Sequence, residues 1–424
     1  MVGLHEAYLV STLKAVVAVV AVFVVSIVIH EFGHFIVAKR FGVAVPAFAV
    51  GFGPKLWKWR RRGTEYSIRL FPIGGLVQLA GEVPQDALFR RGEQIAFRLN
   101  ANDLVTAVGD PEDLPGANVG TLKDLDLMER LQMSIETDEG LHTYRLIPDA
   151  QLMTSTRNSI PIVEKHEQVL GKPVWQRAAI ILAGPVMNFL LAGVLFSMMY
   201  MHSGIPVNAP VLGQIVAGSP AAQAGLHRGD EVVSVDGRVT QSWMDLVTQI
   251  QSDKGAAPLK MKVRRGANVV NIVVTPRLNH GLPQLGIDQP VSYNAGKAVS
   301  SGFSSVYYGS VNALQLYGQV FQHPQQQVKN LAGPVGIADV IGQQAQMGIW
   351  HVIMITGLLS MNLGLFNLLP IPALDGGRLL FMLVEVVRGK GVDPRKEGFV
   401  HFVGFALLML FAVFITYRDV TRLF

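Results

Sequence analysis

The chain has 424 residues, 50% hydrophobic and 16% charged, with a formal net charge of +5 and no cysteine. Soluble chains carry roughly a quarter charged residues, so this composition describes an integral membrane protein with soluble portions. The lack of cysteine excludes disulfides, thiolate zinc sites and cysteine nucleophiles, and no basic stripe with interleaved aromatics points to nucleic acid.

In chain order, a short lead-in is followed by a first apolar span at 15–38. Ala15 to Ile29 reads AVVAVVAVFVVSIVI, without a charge, and the stretch is long enough to cross a bilayer as a helix. No small-residue cleavage site follows its apolar core, so it is expected to stay in place and not be removed as a signal peptide. Its end reads His30-Glu31-Phe32-Gly33-His34. On a helix the two histidines lie one turn apart on one face and can reach one metal ion. Glu31 flanks that face and can take a proton from a water. Two nitrogen ligands, a neighbouring base, and room for a third ligand and a water suit Zn2+. Ionisable groups in hydrocarbon are expensive and mark functional sites. A chance match on the polar face of a soluble helix does not fit these apolar flanks.

Residues 39–81 hold Lys39, Arg40, Lys55, Lys58, Arg60, Arg61, Arg62 and Arg69, an excess of cations that marks the cytoplasmic side. Tyr66–Leu70 and Leu76–Leu79 alternate like strands, with Gly51-Phe52-Gly53-Pro54 ahead of them, which predicts a membrane-associated β-hairpin. Residues 82–172 form a polar insert punctuated by Asp110-Pro111 and Leu114-Pro115-Gly116. Strand-like runs at Leu131–Ile135 and Thr143–Ile147 predict a small β-rich cytoplasmic module, in which His142 and His166 read as isolated surface histidines.

A second, uncharged span covers 178–201. Its Gly184-Pro185 pair is expected to break or bend the helix. Asn188 at membrane depth serves either helix–helix hydrogen bonding or contact with a substrate or the site. Residues 207–288 look soluble. Ser219 opens a short helix, Glu231–Val235 is a strand, Asp236-Gly237 a turn, Trp243–Ile250 a helix, and Leu259–Arg264 with Val269–Val274 a hairpin. The pattern G-L-x-x-G-D-x-x-x-x-V-x-G from Gly225 to Gly237 resembles the PDZ domain, which binds an extended peptide as an added strand.

An amphipathic linker, 296–330, rich in Ser, Gly, Tyr and Gln and with Gln325-Gln326-Gln327 near its end, reads as a membrane-surface helix. Leu331–Gly336 reads as a tight turn. The third span, 349–387, is broken at Pro370-Ile371-Pro372 and continues with Leu374-Asp375-Gly376-Gly377. Asp375 is a candidate third metal ligand, or the N-cap of the helix that follows. A basic loop with Arg388, Lys390, Arg395 and Lys396 leads to a fourth span at 399–417. The fold class expected is a polytopic α-helical membrane protein. It has four transmembrane helices with a zinc site inside the membrane, a membrane-associated β-hairpin, a small cytoplasmic β-rich insert and one extracytoplasmic PDZ domain. With the basic loops inside, both termini and the PDZ-like region lie outside.

These motifs, together with Gly184-Pro185-Val186-Met187-Asn188-Phe189 and Asn367-Leu368-Leu369-Pro370-Ile371-Pro372-Ala373-Leu374-Asp375-Gly376-Gly377, resemble those of the site-2 protease family of intramembrane zinc metalloproteases. The likeness covers nearly the full length and is greatest to the regulator-of-sigma type of Gram-positive, Bacillus-like bacteria, with a single PDZ domain. It implies that His30, His34 and Asp375 bind zinc, that Glu31 is the base, that Asn188 and Asn367 help to hold substrate, and that Gly74, Gly75, Leu76 and Val77 form the edge receiving it. It also implies a multi-pass protein of the bacterial plasma membrane. Its partners would be the lipid bilayer, peptide segments at the PDZ domain, and single-span membrane substrates such as anti-sigma factors after a first extracytoplasmic cut, or remnant signal peptides. A membrane-anchored PDZ scaffold with a non-catalytic metal site is the alternative, which Glu31 disfavours. A metal transporter would need more ionisable residues along the spans, or internal repeats.

Overall fold

A computed structural model describes residues 2–81, 89–127, 130–155, 158–252, 257–279, 281–322 and 332–423. The chain divides into two compact units, Met1–Gly193 with Val306–Phe424, and Val194–Ser305. Among the described residues four helices are long and apolar enough to cross a membrane: Val10–Arg40, Val174–Ser203, Ile349–Asn367 and Lys396–Thr421, here spans one to four.

Span one is the main part of a helix over Val2–Arg40, with Lys39 and Arg40 in its last turn, where cations complement the helix dipole. Span two runs unbroken through Pro185, so the Gly-Pro pair, expected to break or bend the helix, does not break it. Close packing accounts for the difference. At Gly364 of span three, a Cβ would lie 3.0 Å from the Pro185 carbonyl oxygen and 3.1 Å from Asn188 Cβ, so a neighbouring backbone supports the helix at the level of the proline.

Between spans one and two lie a hairpin and a barrel. Strands β1 (Ala47–Arg61) and β2 (Thr64–Gln78) pair antiparallel. Their turn, Arg62-Gly63, has both φ angles positive, 48° and 77°, as tight hairpins prefer. Both runs expected as separate strands fall in β2, the second up to Gln78. Its partner β1 escapes sequence reading because cations interrupt its alternation and its distal half is exposed. The insert contains β3 (Gln94–Leu99), β4 (Val105–Gly109), β5 (Asn118–Asp126), β6 (Gln132–Thr137), β7 (Gly140–Ser155) and β8 (Asn158–Pro161) in the order β4-β3-β5-β6-β7-β8. An additional parallel β4–β7 pairing closes the sheet around Ile95, Phe97, Leu122, Met133, Ile135 and Leu152, so few edges stay open.

The stretch 349–387 is two helices, Ile349–Asn367 and Asp375–Arg388. The prolines lie between them, and Ala373 takes a left-handed φ of 77°. Before span three, the expected turn at 331–336 is instead the start of a helix, Pro334–Met347. Proline suits a first helical turn, and Asp419 accepts the Gly336 N–H at 2.8 Å. Leu331 and Gln325–Gln327 lie outside the described residues. The 296–330 region contributes a helix over Ala295–Gln322.

The Val194–Ser305 unit has a four-stranded sheet, ordered Arg238–Val239, Glu231–Val235, Leu259–Arg265, Asn268–Val274, with helices Pro220–Gln223 and Trp243–Ser252. Leu212, Val232, Leu246, Leu259 and Val263 fill its core. Asp230, with its side chain 1% exposed, accepts two bonds from Arg265 at 2.7 and 2.8 Å and one from the His227 N–H at 2.9 Å. Burial alone would raise the carboxyl pKa, but the Arg265 bonds win and hold it below its ordinary 3.8. A depressed carboxyl stabilises the fold above that ordinary value, and the contribution is lost as pH falls through the lower native one. Arg265→Met leaves this carboxylate buried and without its cation. It is expected to lower the thermal unfolding midpoint of the unit by several degrees at pH 7. The gap to the parent, followed by calorimetry, should shrink as pH falls below the ordinary carboxylate range.

Candidate metal centre

His30 and His34 stand one turn apart on span one, each 8% exposed, with their Nε2 atoms 3.2 Å apart. Asp375 arrives from a segment more than three hundred residues later. Its Oδ2 lies 3.2 Å from His30 Nε2 and 3.4 Å from His34 Nε2. Leu374, not Asp375, holds the N-cap position of the following helix, and no side chain caps it. The helix-cap alternative is therefore not the one adopted: the carboxylate turns inward.

The donor set fits a tetrahedral metal. Bonds of about 2.0–2.1 Å at tetrahedral angles put ligand atoms about 3.3 Å apart, and the three edges here are 3.2, 3.2 and 3.4 Å. Asp375 Oδ2 is buried and has no hydrogen-bond partner among the described residues, an arrangement that costs free energy unless a cation sits there. The outer nitrogens are also arranged. His34 Nδ1 lies 2.8 Å from the Ile180 carbonyl oxygen, so Nδ1 carries the proton and the Nε2 lone pair faces the centre. His30 Nδ1 is 3.2 Å from Asn188 Nδ2. Turning that amide end for end brings its oxygen to Nδ1–H, the orientation that frees the His30 Nε2 lone pair for a metal.

Asn188 is fully buried, and its backbone carbonyl accepts a bond from Ser360 Oγ at 3.0 Å. In this arrangement its amide meets the histidine ring, so the structure places it behind His30 and away from the cavity wall. Asn367 does line the cavity, with Nδ2 3.5 Å from His30 Nε2. That cavity, about 590 Å³, opens between span one, β2 and the turn before Asp375, and Gly74, Gly75, Leu76, Val77 and Arg378 line it. Glu31 reaches into it, and its Oε2 accepts the Val77 N–H at 3.1 Å. Carboxylate and strand edge are thus joined at the rim of the metal-ligand cluster. A carboxylate beside a metal and an open strand edge can move a proton to or from a peptide held on that edge.

Two glycines act as spacers, a role different from those the sequence suggests, which are a helix break or bend at Gly184 and part of the substrate edge at Gly75. A Cβ on Gly184 would overlap His34 Nε2 and lie 2.8 Å from His30 Cε1, and one on Gly75 would lie 2.8 Å from Glu31 Cγ. The sequence marks Gly184 by its Pro185 neighbour and its motif, and that signal reads equally as a helix bend. Arg378 on the cavity wall carries no sequence signal beyond its cationic charge. Gly184→Ala is expected to push the imidazoles apart and weaken metal affinity by about tenfold or more, measured by competition with a chromophoric chelator.

Comparison with known proteins identifies the family. The model of Peptidase family M50 matches residues 18–411. The chain is 36% identical over 422 residues to the zinc metalloprotease RasP of Geobacillus kaustophilus, covering 98% of this chain and 100% of the relative. It is 34% identical over 422 residues to the regulator of sigma-W protease RasP of Bacillus subtilis, covering 97% and 99%. Among solved structures, the PDZ domain of an SdrC-like protein from Listeria monocytogenes is 23% identical, with a TM-score of 0.17, over 20% of this chain and 86% of that one. The chain belongs to peptidase family M50, the site-2 protease family of intramembrane zinc metalloproteases.

Proposed function

We propose that this zinc metalloprotease cuts the transmembrane segments of single-span proteins, with His30, His34 and Asp375 holding the zinc and Glu31 acting as the base. The observation that carries the reading is the convergence of three donor atoms from two distant segments, with a carboxylate beside them and a strand edge against it. When bound, zinc polarises a scissile carbonyl and lowers the pKa of a nearby water. Glu31 takes the proton of the attacking water and passes it to the leaving amine. Its bond to the Val77 N–H holds the carboxylate toward the cavity during this transfer.

A peptide bond in a membrane helix is shielded by its own hydrogen bonds, so a substrate must unwind before it can react. Gly74 to Val77 offer a β2 edge on which the unwound segment can lie as an added strand. Asn367 on the cavity wall supplies an amide to the substrate backbone. Asn188, from its position behind His30, fixes the orientation of that ring.

The hairpin and the insert belong to the cytoplasmic side in this reading, because the basic residues from Lys39 to Arg69 favour it. Both termini and residues 207–288 then lie outside the bacterial plasma membrane. Residues 207–288 serve as a PDZ domain that screens bulky ectodomains, so substrates are anti-sigma factors already trimmed outside, or remnant signal peptides. The name of the Bacillus subtilis relative, a regulator of sigma-W protease, supports the first class. Deleting residues 207–288 is expected to extend cleavage to untrimmed substrates in reconstituted vesicles. Unchanged selectivity would remove the screening role.

The catalytic assignments are tested as a pair. Glu31→Gln should retain zinc and lose essentially all cleavage of a single-span substrate in detergent. Asp375→Asn should lose both, because a neutral amide is a poor zinc donor. Stoichiometric zinc with parental turnover in Asp375→Asn would require a different third ligand.

A further inference from the structure

Asp375 differs from the histidines in how it is held. His30 and His34 share one helix, whose geometry sets their spacing. Asp375 follows a non-helical turn, and its position depends on how that turn is supported. Within the turn, the Ile371 N–H bonds the Leu369 carbonyl at 2.7 Å and the Leu374 N–H bonds the Ile371 carbonyl at 3.2 Å. Ala373 lies between them with φ at 77°, a conformation that non-glycine residues adopt at a cost. Its N–H leaves the turn and donates to His401 Nδ1 of span four at 2.8 Å.

Span four meets the turn at a second point. At Gly404 a Cβ would overlap Pro372 Cβ and lie 2.8 Å from the Pro372 carbonyl oxygen. His401 and Gly404 are three apart and share one helix face. The His401 ring lies 5.5 Å from that of Phe381, and its Nε2 is 3.9 Å from Glu397 Oε1. Its Nδ1 is an acceptor, so the ring carries its proton on Nε2. A half-buried backbone N–H in a strained turn gains a fixed point from such an acceptor.

We infer that His401 is a positioning residue for the reaction: by accepting the Ala373 N–H, span four clamps the Pro372–Leu374 turn and so sets where the Asp375 carboxylate lies. The inference rests on the reading of Asp375 as a zinc ligand. His401 touches neither the donors nor the cavity, and it acts only through the turn.

The experiment compares His401→Leu, which removes the acceptor, with His401→Asn, whose amide keeps an acceptor near the place of Nδ1. The full-length protein is used in detergent, with a single-span substrate and with zinc competition against a chelator. His401→Leu is expected to lower kcat about tenfold with KM changed less than about twofold, and to lose zinc at about tenfold lower chelator concentration. Tenfold corresponds to about 1.4 kcal/mol. His401→Asn should recover both readouts to within about threefold of the parent. Parental kcat and zinc retention in His401→Leu would overturn the inference, and so would equal losses in both variants, which would indicate that ring volume matters and the acceptor does not. Should His401→Leu fail to fold, His401→Gln, which moves the acceptor outward by one bond, is read against His401→Asn by the same criteria. Asp375→Asn is measured alongside. Zinc retention there would sink the ligand reading itself, whereas zinc loss there with an unaffected His401→Leu would sink the clamp alone.

Discussion

The architecture depends on the cost of placing two imidazoles and a carboxylate on an apolar helix of membrane length, with a second carboxylate brought to them by the turn after span three. In hydrocarbon no water can satisfy them, so each must find a partner inside the protein or hold a cation. His30, His34 and Asp375 meet that demand together, and the outer nitrogens of the two rings face Asn188 and the Ile180 carbonyl. Meeting it brings spans one, two and three, together with the turn that follows, into close contact. The glycines record how close: Gly33 of span one lies so near the Ala183 carbonyl that a Cβ would overlap it, and Gly184 faces the imidazoles. Small residues at helix crossings are the usual means of close approach in membranes. Here the closeness also admits the site.

The same closeness joins chemistry to substrate handling. Glu31 has one neighbour in each role: the donor cluster on its own helix, and the Val77 N–H on β2. Gly75 lets the strand come within contact of the Glu31 side chain. A strand that supplies both a recognition edge and an anchor for the base keeps a bound peptide near the proton acceptor. Such placement can lower a barrier by several kcal/mol through proximity alone.

Much of this could be read in the sequence, for physical reasons that differ by element. The pairing of His30 with His34 is local, set by helical periodicity, and apolar flanks made it meaningful. The break at Pro370-Ile371-Pro372 is equally local, because proline cannot continue a helix. The partner of Asp375 is not local; only packing chooses between capping a helix and facing a metal, and the structure has Leu374 in the cap position. Strand β1 stayed hidden because Lys55, Lys58 and Arg60 interrupt its alternation, and the exposed half of a hairpin needs no apolar face. The continuity of span two through Pro185 was hidden for a similar reason, since support from Gly364 on another helix leaves no trace in the local pattern.

The source of the third donor explains why the turn before it is so constrained. A third ligand on span one would have to lie on the same face, where helical geometry offers no position that approaches the metal from the opposite side. A ligand from a turn can approach from that side, but a turn is softer than a helix, and small shifts at a reacting centre are costly. The Pro372–Leu374 turn is stiffened from several directions. Proline fixes one φ, and Gly376 and Gly377 let the new helix fold back so tightly that a Cβ on either would overlap or press on the carbonyls of Leu368, Leu369 and Ile371. Outside it, His401 and Gly404 of span four close the remaining face. Rigidity that span one has from its helical hydrogen bonds is rebuilt at Asp375 from packing, and this requires a fourth span that contributes no donor of its own.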